Sequence, residues 1–514
     1  MKLKVLTLAV SAVLASTTAH AALDLGLLDF GQYVEKLAQL NPSKLFGTTG
    51  ALDASSRLQA SAEAAGCDLI KVAPGLTCNV VSEQPNLGPN TDMMALYPNS
   101  GSPSHLITCN EQDAASVAVQ RIDLATGVAE DIISSGLTSC DPVEMTPWGT
   151  VIVGEEAGIN GRMFEILDPL NTSGVTVTGS GELTKTFIGE TPADDKVRYL
   201  APLGQLSFEG ISVLPNGVTY YQDENRPGKG ISGGGYFKFI PKTLWKGGAP
   251  ITDLNTSPLA AGGRVFALRL GKNNGNTDFG SGNNAGRGVW VEVTDGKFGA
   301  KTTTAGVDRI NLRAAAETLK ATTGYRPEDQ DIDPLALSLN KVRICGTNTG
   351  QDTPTTSANG DKNYGTTFCI TDGTVPQAGR SNTIVQNVDG VDYSVISGSV
   401  ANSIPEYQTL VNHYLDFGMP DNIAFQPGRS NIIIQEDGDG ASYNPPRNND
   451  IWDCMDDGKD KDLLSDGCIK IATLNDLTAE STGGVFDATG SEYYLSIQHN
   501  ITGHGVIVKL TGWR

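Results

Sequence analysis

Residues 146–156 read Thr146-Pro147-Trp148-Gly149-Thr150-Val151-Ile152-Val153-Gly154-Glu155-Glu156, a turn followed by a short apolar strand that ends in two adjacent carboxylates. The same layout recurs at residues 215–224, 427–439 and 489–499. If each unit belongs to one blade of a radial β-architecture, the polar ends of the strands converge on one face. Clustered carboxylates repel one another unless cations lie among them. The pattern therefore predicts an all-β protein, a β-propeller, with a hard-cation site at one mouth.

The composition favours one large domain of short strands. The 514-residue chain contains 60 glycines and only 6% aromatic residues, and it has few long helical patterns. The strand-and-turn pattern holds from 106 to 514, which predicts a propeller domain over that range. Glycine-, asparagine- and threonine-rich segments at 271–287, 346–363 and 437–466 predict insertions at its rim. Residues 22–105, with helical patterning at 53–65, predict a helical lead-in followed by the first strands.

The N-terminal residues 1–21 have the features of a secretory signal, which predicts a secreted or periplasmic protein. Lys2 and Lys4 precede an apolar run at 5–15, and Ala19-His20-Ala21 resembles a cleavage site. No other stretch approaches the roughly 18 apolar residues of a membrane span. Removal of Lys2 and Lys4 lowers the formal net charge from -21 to -23. This charge disfavours nucleic acid and anionic membranes as partners, so an anionic substrate needs metal ions or arginines to reverse the local field.

Eight cysteines fit an oxidising compartment. The close pairs Cys67/Cys78, Cys345/Cys369 and Cys454/Cys468 predict three disulfides. Cys109 and Cys140 remain, and two alternatives stay open for them. They form a fourth disulfide, or Cys140 is a thiolate metal ligand and Cys109 is free.

Glu209 is a candidate metal ligand because it lies among apolar residues just before a strand, where a carboxylate needs a cationic partner. An arginine or lysine ion pair is the alternative. The segment Gly324-Tyr325-Arg326-Pro327-Glu328-Asp329 places a guanidinium beside two carboxylates. Arg326 suits bidentate contact with a phosphate, and Glu328 could hold a cation that bridges the same group. The alternative is that Arg326 and Glu328 simply form ion pairs with neighbouring residues.

Two further sets of polar residues lie near the C-terminus. Asp437 and Asp439 resemble calcium-loop ligands, although the spacing of an EF-hand is absent. His499 ends the last turn-strand unit, and it is either a structural histidine or part of the site. The acidic residues that follow more often belong to a solvated loop; they are Asp453, Asp456, Asp457 and Asp460.

Taken together and in order, these motifs resemble those of the PhoX-type alkaline phosphatases, which are exported six-bladed β-propellers with an iron and calcium cluster. The resemblance spans residues 106 to 510. Its motifs are Thr146-Pro147-Trp148-Gly149-Thr150 with Glu155-Glu156, Phe208-Glu209, Asp223-Glu224, Arg326-Pro327-Glu328-Asp329, Pro420-Asp421-Asn422, and Thr482-Gly483 followed by Ile497-Gln498-His499.

The resemblance implies a role for each of these acidic residues. Glu209 and Glu328 would ligate iron, and Arg326 would hold phosphate. Glu111 falls where the family has an Asn-His-Glu pattern, and Cys140 lies near the family's iron-binding cysteine. The calcium or bridging ligands would be Glu155, Glu156, Asp223, Glu224 and Glu480. The implied cofactors are calcium and, as a further candidate, iron.

These observations predict a monomeric metal-dependent phosphatase that acts on small phosphorylated substrates. Neither a Gly-x-Ser-x-Gly elbow nor a phosphate-binding P-loop occurs, which disfavours covalent serine hydrolysis and nucleotide hydrolysis. Two alternatives stay open. One is a non-catalytic, calcium-stabilised binding module, which Phe208 favours because the family commonly has histidine there. The other is a calcium-dependent lactonase or esterase, since fold alone does not choose the chemistry.

Overall fold

The structure is a computed structural model. It describes residues 45–52, 54–178, 196–227, 232–270, 288–293, 311–350, 365–380, 385–388, 390–394, 417–429, 431–438, 443, 446–455 and 468–514. The predicted signal at 1–21 lies outside the described residues, as do most of the predicted rim insertions. None of the helices in the described part of the chain has the length and apolar character needed to span a membrane.

Short strands make up most of the described structure. In chain order they are β1 (Ile70–Val72), β2 (Thr77–Glu83), β3 (Thr91–Tyr97), β4 (His105–Asn110), β5 (Val119–Asp123), β6 (Ala129–Ser135), β7 (Cys140–Met145), β8 (Val151–Glu155), β9 (Met163–Ile166), β10 (Val175–Thr176), β11 (Val197–Tyr199), β12 (Phe208–Val213), β13 (Thr219–Asp223), β14 (Gly234–Pro241), β15 (Gly263–Leu270), β16 (Gly288–Glu292), β17 (Thr323–Gly324), β18 (Pro327–Ile332), β19 (Lys341–Asn348), β20 (Thr366–Thr374), β21 (Val385–Val388), β22 (Gly390–Ser394), β23 (Pro420–Phe425), β24 (Ile432–Glu436), β25 (Asp450–Cys454), β26 (Cys468–Leu474), β27 (Glu480–Phe486), β28 (Glu492–Gln498) and β29 (Val506–Thr511).

Helices are few and short in the described residues. They are α1 (Leu312–Thr318), α2 (Pro334–Ser338) and α3 (Val375–Ala378). Single 3₁₀ turns occur at Gly66–Leu69, Gly158–Asn160, Ala201–Leu203 and Leu254–Thr256.

The described strands form six sheets, which we number as blades 1 to 6 in chain order. Blade 1 contains β3 to β6 with β10; blade 2 contains β7 to β9 with β11; blade 3 contains β12 to β16 with β17 and β21. Blade 4 contains β18 to β20 with β22; blade 5 contains β23 to β26 with β1; blade 6 contains β27 to β29 with β2. The innermost strands, β3, β7, β12, β18, β23 and β27, contact one another in a closed ring. The predicted six-bladed β-propeller is confirmed.

The turn at residues 146–150 shows how the repeated sequence unit builds a blade. Thr146 N donates to Thr150 O at 2.9 Å and closes the hairpin between β7 and β8. Gly149 has φ 83°, which glycine adopts without steric cost. Trp148 is fully buried, and its indole Nε1 donates to Glu165 Oε1 at 2.7 Å. The turn is therefore anchored in the blade, so the strand after it starts at a fixed position.

Apolar clusters fill the interfaces between neighbouring blades. The cluster between blades 1 and 2, for example, contains Ile107 and Val119 together with Val151 and Phe164. Comparable clusters lie at the other five interfaces. Packing of this kind holds each sheet face against the next, while the inner strands keep their first residues at one end of the central channel.

The N-terminal segment differs from the predicted helical lead-in. Residues 54–65 form no helix, because their polar groups bind the edges of blades 5 and 6 instead. Ser55 Oγ donates to Asp450 at 2.6 Å and Gln59 Nε2 donates to Asp476 at 2.6 Å. The predicted boundary between residues 105 and 106 falls inside β4, and β1 and β2 complete blades 5 and 6. Tertiary hydrogen bonds have overridden helix propensity here.

Candidate active site

Each of the six innermost strands begins with an acidic side chain at the same end of the channel. The acid is the second residue of five of these strands and the first residue of β27. The six are Asp92, Asp141, Glu209, Glu328, Asp421 and Glu480. In five inner strands the pairing register shifts at or just after the acidic position, and in β27 it shifts between Thr482 and Val485. Such bulges bend a strand and re-aim its side chains, so they bring the six acids toward one another.

A second set of polar residues follows the second strand of five blades: Glu111, Glu156, Glu224, Asp437 and His499. In blades 1, 2, 3 and 5 the backbone N–H of this residue donates to the carbonyl of the residue just before the inner strand. The acceptors are the carbonyl oxygens of Asn90, Ser139, Ser207 and Met419, at 2.8 to 3.0 Å. Thr349 makes the same bond to Arg326 in blade 4. This repeated bond places the second set of residues beside the first at the mouth.

Arg326 is the cation at the centre of this acidic mouth. Its Nε lies 2.7 Å from Glu224 Oε1 and 2.5 Å from Glu328 Oε1, and its Nη1 lies 2.5 Å from Asp437 Oδ2. The residue has φ 61°, a left-handed conformation that is uncommon for a non-glycine residue. Its backbone is held there by Thr349 N, which donates to Arg326 O at 2.9 Å. The side chain keeps 17% of its surface exposed at the mouth.

Three carboxylates from blades 5 and 6 form the tightest group that could hold a metal. Asp421, Asp437 and Glu480 each offer one oxygen, and these oxygens lie within 4.8 Å of one another. His499 Nδ1 lies 3.3 Å from Glu480 Oε2. The contact with Glu480 raises the pKa of His499 to about 9, although burial opposes the shift. Burial and the negative charge of Asp437 raise the pKa of Glu480 to about 8.

On the opposite side of the mouth, blades 1 to 3 bring together acids that have few positively charged side chains among them. Burial, Asp92 and Glu111 raise the pKa of Asp141 well above its ordinary value. Burial and the neighbouring Asp141 and Glu328 do the same to the pKa of Glu209. The Oδ2 atom of Asp141 is buried and has no hydrogen-bond partner in the described part of the chain. Carboxylates in this state either bind protons or bind cations.

Glu156 and Glu224 share a hydrogen bond across blades 2 and 3, and their pKa values move in opposite directions. Burial and the hydrogen bond with Glu224 raise the pKa of Glu156. Burial alone would raise the pKa of Glu224, but the hydrogen bond with Glu156 and the charge of Arg326 lower it to about 2. Glu224 is therefore the ionised member of the pair. Burial and Asp92 raise the pKa of the nearby Glu111 to about 7.

The structure brings most of the predicted site residues together. Those at the mouth are Arg326, Glu111, Glu156, Glu209, Glu224, Glu328, Asp437 and Glu480. Ten acids, counting Asp92, Asp141 and Asp421, face a small number of cations there. Oxygen donors without nitrogen or sulfur suit hard cations such as calcium. The orphaned Asp141 oxygen and the three-carboxylate group fit a bound metal of this kind.

Three predicted ligands are engaged elsewhere. The Cys140 sulfur is bonded to Cys109, so the prediction of Cys140 as a thiolate ligand is wrong and the alternative of a fourth disulfide is correct. Glu155 accepts from Arg162 Nη2 at 2.5 Å. Asp223 binds Arg313 through both oxygens, at 2.6 and 2.8 Å. Because successive residues of a strand point to opposite faces, each of these two acids faces away from the neighbour that reaches the mouth.

Sequence reasoning missed Asp92 and Asp141 and did not single out Asp421 as a ligand. All three follow directly after the first residue of an inner strand, which is the signal that could have found them. Asp439, Asp456, Asp457 and Asp460 lie outside the described residues. Asp453 is buried in blade 5, where it accepts a hydrogen bond from Asn431 Nδ2 at 2.8 Å, and it does not lie at the mouth.

Comparison with known proteins places this arrangement in a family. Residues 144–500 match the family described as Alkaline phosphatase PhoX. This chain belongs to the PhoX family. The match covers the inner strands of blades 3 to 6 and most of the mouth, and it leaves out Asp92, Glu111 and Asp141.

Among solved structures, the chain is similar to Pseudomonas fluorescens PhoX in complex with vanadate, a transition state analogue, with 15% identity and a TM-score of 0.60. The alignment covers 89% of this chain and 98% of that one. Aldose sugar dehydrogenase from Streptomyces coelicolor aligns at 12% identity with a TM-score of 0.36, over 85% of this chain and 98% of that one. A search of curated proteins finds no match. The likeness to the first of these structures supports the propeller fold.

Proposed function

We propose that this chain is an exported, metal-dependent phosphatase that hydrolyses phosphomonoesters at the mouth of the propeller. The observation that carries the proposal is Arg326, a guanidinium held among Glu224, Glu328 and Asp437 at the centre of ten convergent carboxylates. Family membership supports the reaction class. The four disulfides of the described structure support export, since such bonds persist in oxidising compartments.

The acids at the mouth would hold the metals, with calcium as the first candidate and iron as the second. Bound divalent cations would supply charge neutralisation for the phosphate oxygens and a water of lowered pKa. Without them a dianionic phosphate would meet a field of carboxylates, and binding would be unfavourable. The residues assigned to this role are Glu111, Glu156, Glu209, Glu224, Glu328, Asp437 and Glu480, together with Asp92, Asp141 and Asp421.

Arg326 would bind one phosphate oxygen directly. Its Nε and Nη1 atoms already pair with carboxylates, and Nη2 makes no hydrogen bond within the described residues. The planar guanidinium is fixed by these pairs, so the remaining N–H groups point in a set direction and lose little entropy when phosphate binds. A donor that is pre-arranged in this way also stabilises the charge that develops as the ester bond breaks.

The Arg326→Ala variant tests this assignment. We expect the variant to lose about 10²-fold or more in kcat/KM for an aryl phosphate ester, the scale of removing one pre-arranged donor. Calcium content should not fall, because removing a positive charge from among three carboxylates does not weaken cation binding. Elemental analysis and steady-state kinetics measure the two quantities on the same samples.

Arg264→Ala is the matched control, since it removes an arginine–glutamate pair with Glu292 in the outer part of blade 3. This control should retain the wild-type rate. If Arg326→Ala retains it as well, Arg326 does not bind the substrate. Fully metal-loaded wild-type protein that opens a lactone and hydrolyses no phosphoester would favour the lactonase, and no activity on either substrate would favour the binding module.

A further inference from the structure

A second acidic cavity lies in the central channel beyond the mouth. It has a volume of about 390 Å³ and is lined by the later residues of the inner strands and the loops that follow them. None of the ten acids at the mouth lines it. Its polar residues include Glu144, Asp329, Gln330 and Asp331. This cavity is therefore distinct from the proposed active site.

Among the described residues, Glu144 has no cationic partner. Burial raises the pKa of Glu144 well above the ordinary value, and the neighbouring carboxylates Asp331 and Asp329 add to the shift. Within the described residues its carboxylate makes no hydrogen bond. Asp329 and Asp331 differ, because they accept hydrogen bonds from the backbone N–H groups of Ile423 and Phe425 at 3.1 and 2.8 Å. Those two acids therefore pair with backbone N–H groups of β23, whereas Glu144 pairs with none.

Gln330 gives an independent sign of a ligand. The residue is 9% exposed and lines the cavity, and its Nε2 atom is buried and has no hydrogen-bond partner among the described residues. Leaving a buried amide donor unpaired is unfavourable, so buried donors normally have an acceptor. A ligand with an acceptor oxygen in the cavity would accept a hydrogen bond from this amide group.

Apolar side chains form much of the remaining wall, which also includes Asn99, Ser100 and Thr146. Met93, Met145, Ile211 and Ile423 lie around the acids. Methionine packs readily against aliphatic chains of varied shape. Among the described residues, Asp421, Asp437 and Glu480 at the mouth are the group whose donor atoms lie close enough to chelate one metal ion. The acids of this cavity do not form such a group, which disfavours a metal ion as the occupant.

We propose that this cavity binds a small amino alcohol, an ammonium group joined by a short aliphatic chain to a hydroxyl group. The ammonium would pair with Glu144, with Asp331 adding to the negative field. The hydroxyl oxygen would accept from Gln330, and the methylene groups would lie against Met93 and Met145.

Isothermal titration with 4-aminobutan-1-ol tests the proposal, with calcium-saturated protein so that the mouth is already occupied by cations. We expect saturable binding at one site. Glu144→Gln should weaken it about 10-fold or more, because a charge-assisted contact is lost. Glu63→Gln is the matched control, as it removes an exposed carboxylate elsewhere, and it should bind like the wild type.

A second variant keeps the test decisive if Glu144→Gln fails to fold. Gln330→Met, similar in size, should abolish the preference for 4-aminobutan-1-ol over pentylamine, which lacks the hydroxyl. The proposal is overturned by the absence of saturation up to roughly 10 mM amine, or by equal binding in wild type and Glu144→Gln. It is also overturned if Glu144→Gln removes a metal ion while amine binding is absent. Each of these results leaves the phosphatase assignment at the mouth untouched.

Discussion

Neighbouring acids at the ends of three second strands have opposite surroundings. The last residue of the strand is bound by an arginine, as in the pairs Glu155–Arg162, Asp223–Arg313 and Glu436–Arg447. The next residue reaches the mouth, as do Glu156, Glu224 and Asp437. Successive residues along a strand point to opposite faces, so the two acids of each pair point in opposite directions. Each of these acidic pairs therefore contains one acid that forms an ion pair away from the mouth and one candidate ligand that faces the mouth, and position along the strand identifies which is which.

Arg447→Met should have the largest effect on stability. Arg447 donates to both oxygens of Glu436 at 2.5 and 2.9 Å and lies 3.2 Å from Asp450, with all three side chains fully buried. Removing one partner of a buried pair leaves an uncompensated charge and costs about 3–5 kcal/mol. Urea unfolding of the calcium-loaded protein measures the loss.

Lys509→Met serves as the control, because its pair with Glu492 is partly exposed and contributes about 1 kcal/mol or less. Equal losses of unfolding free energy in the two variants would show that the buried Arg447–Glu436 pair contributes no more to stability than a partly exposed pair.

Glu155→Gln and Glu156→Gln should shift stability in opposite directions in metal-free protein. Glu155→Gln removes the charge that holds the buried Arg162, which costs about 1–3 kcal/mol. Glu156→Gln removes a buried carboxyl group that must take up a proton when the metal-free protein folds, and it should stabilise by about 1 kcal/mol. Thermal melting in excess chelator measures both. If both variants melt below wild type, the two acids do not differ in the way proposed.

The last expected effect is the pH dependence of the metal-free protein. The pKa values of Glu111 and Glu480 are raised from 4.5 to about 7 and about 8 by burial and neighbouring acids. A raised pKa means that the folded state holds protons that the unfolded state releases. Stability should therefore fall as the pH rises from 4.5, the ordinary pKa of both groups, to about 8, the higher of the two folded-state values.

Calcium-loaded protein should lose less stability over the same pH range, because bound cations replace the protons. Melting temperatures at several pH values, with and without calcium, measure the difference. Identical pH profiles in the two states would mean that calcium does not bind at these carboxylates.

The repeated turn-strand units predicted the propeller and the acids that end second strands, since both depend on local sequence. The positions of the inner-strand acids Asp92 and Asp141 at the mouth depend on β-bulges. The local sequence of their strands does not predict these bulges. The partners of Glu155 and Asp223 could not be assigned either, because nothing in the sequence says which arginine packs against which strand. Cys140 illustrates the same difficulty, since its partner lies in a neighbouring blade.

Strand β29 pairs with β28 on one side and with β2 on the other, so that Thr511 lies opposite Thr77. The ring therefore cannot close until β29 has been synthesised. Pairings between such distant parts of a chain form slowly, because the loop between them must first be brought together. A stop codon at Val506 would remove β29 and leave an open seam with two unpaired strand edges, which are templates for aggregation.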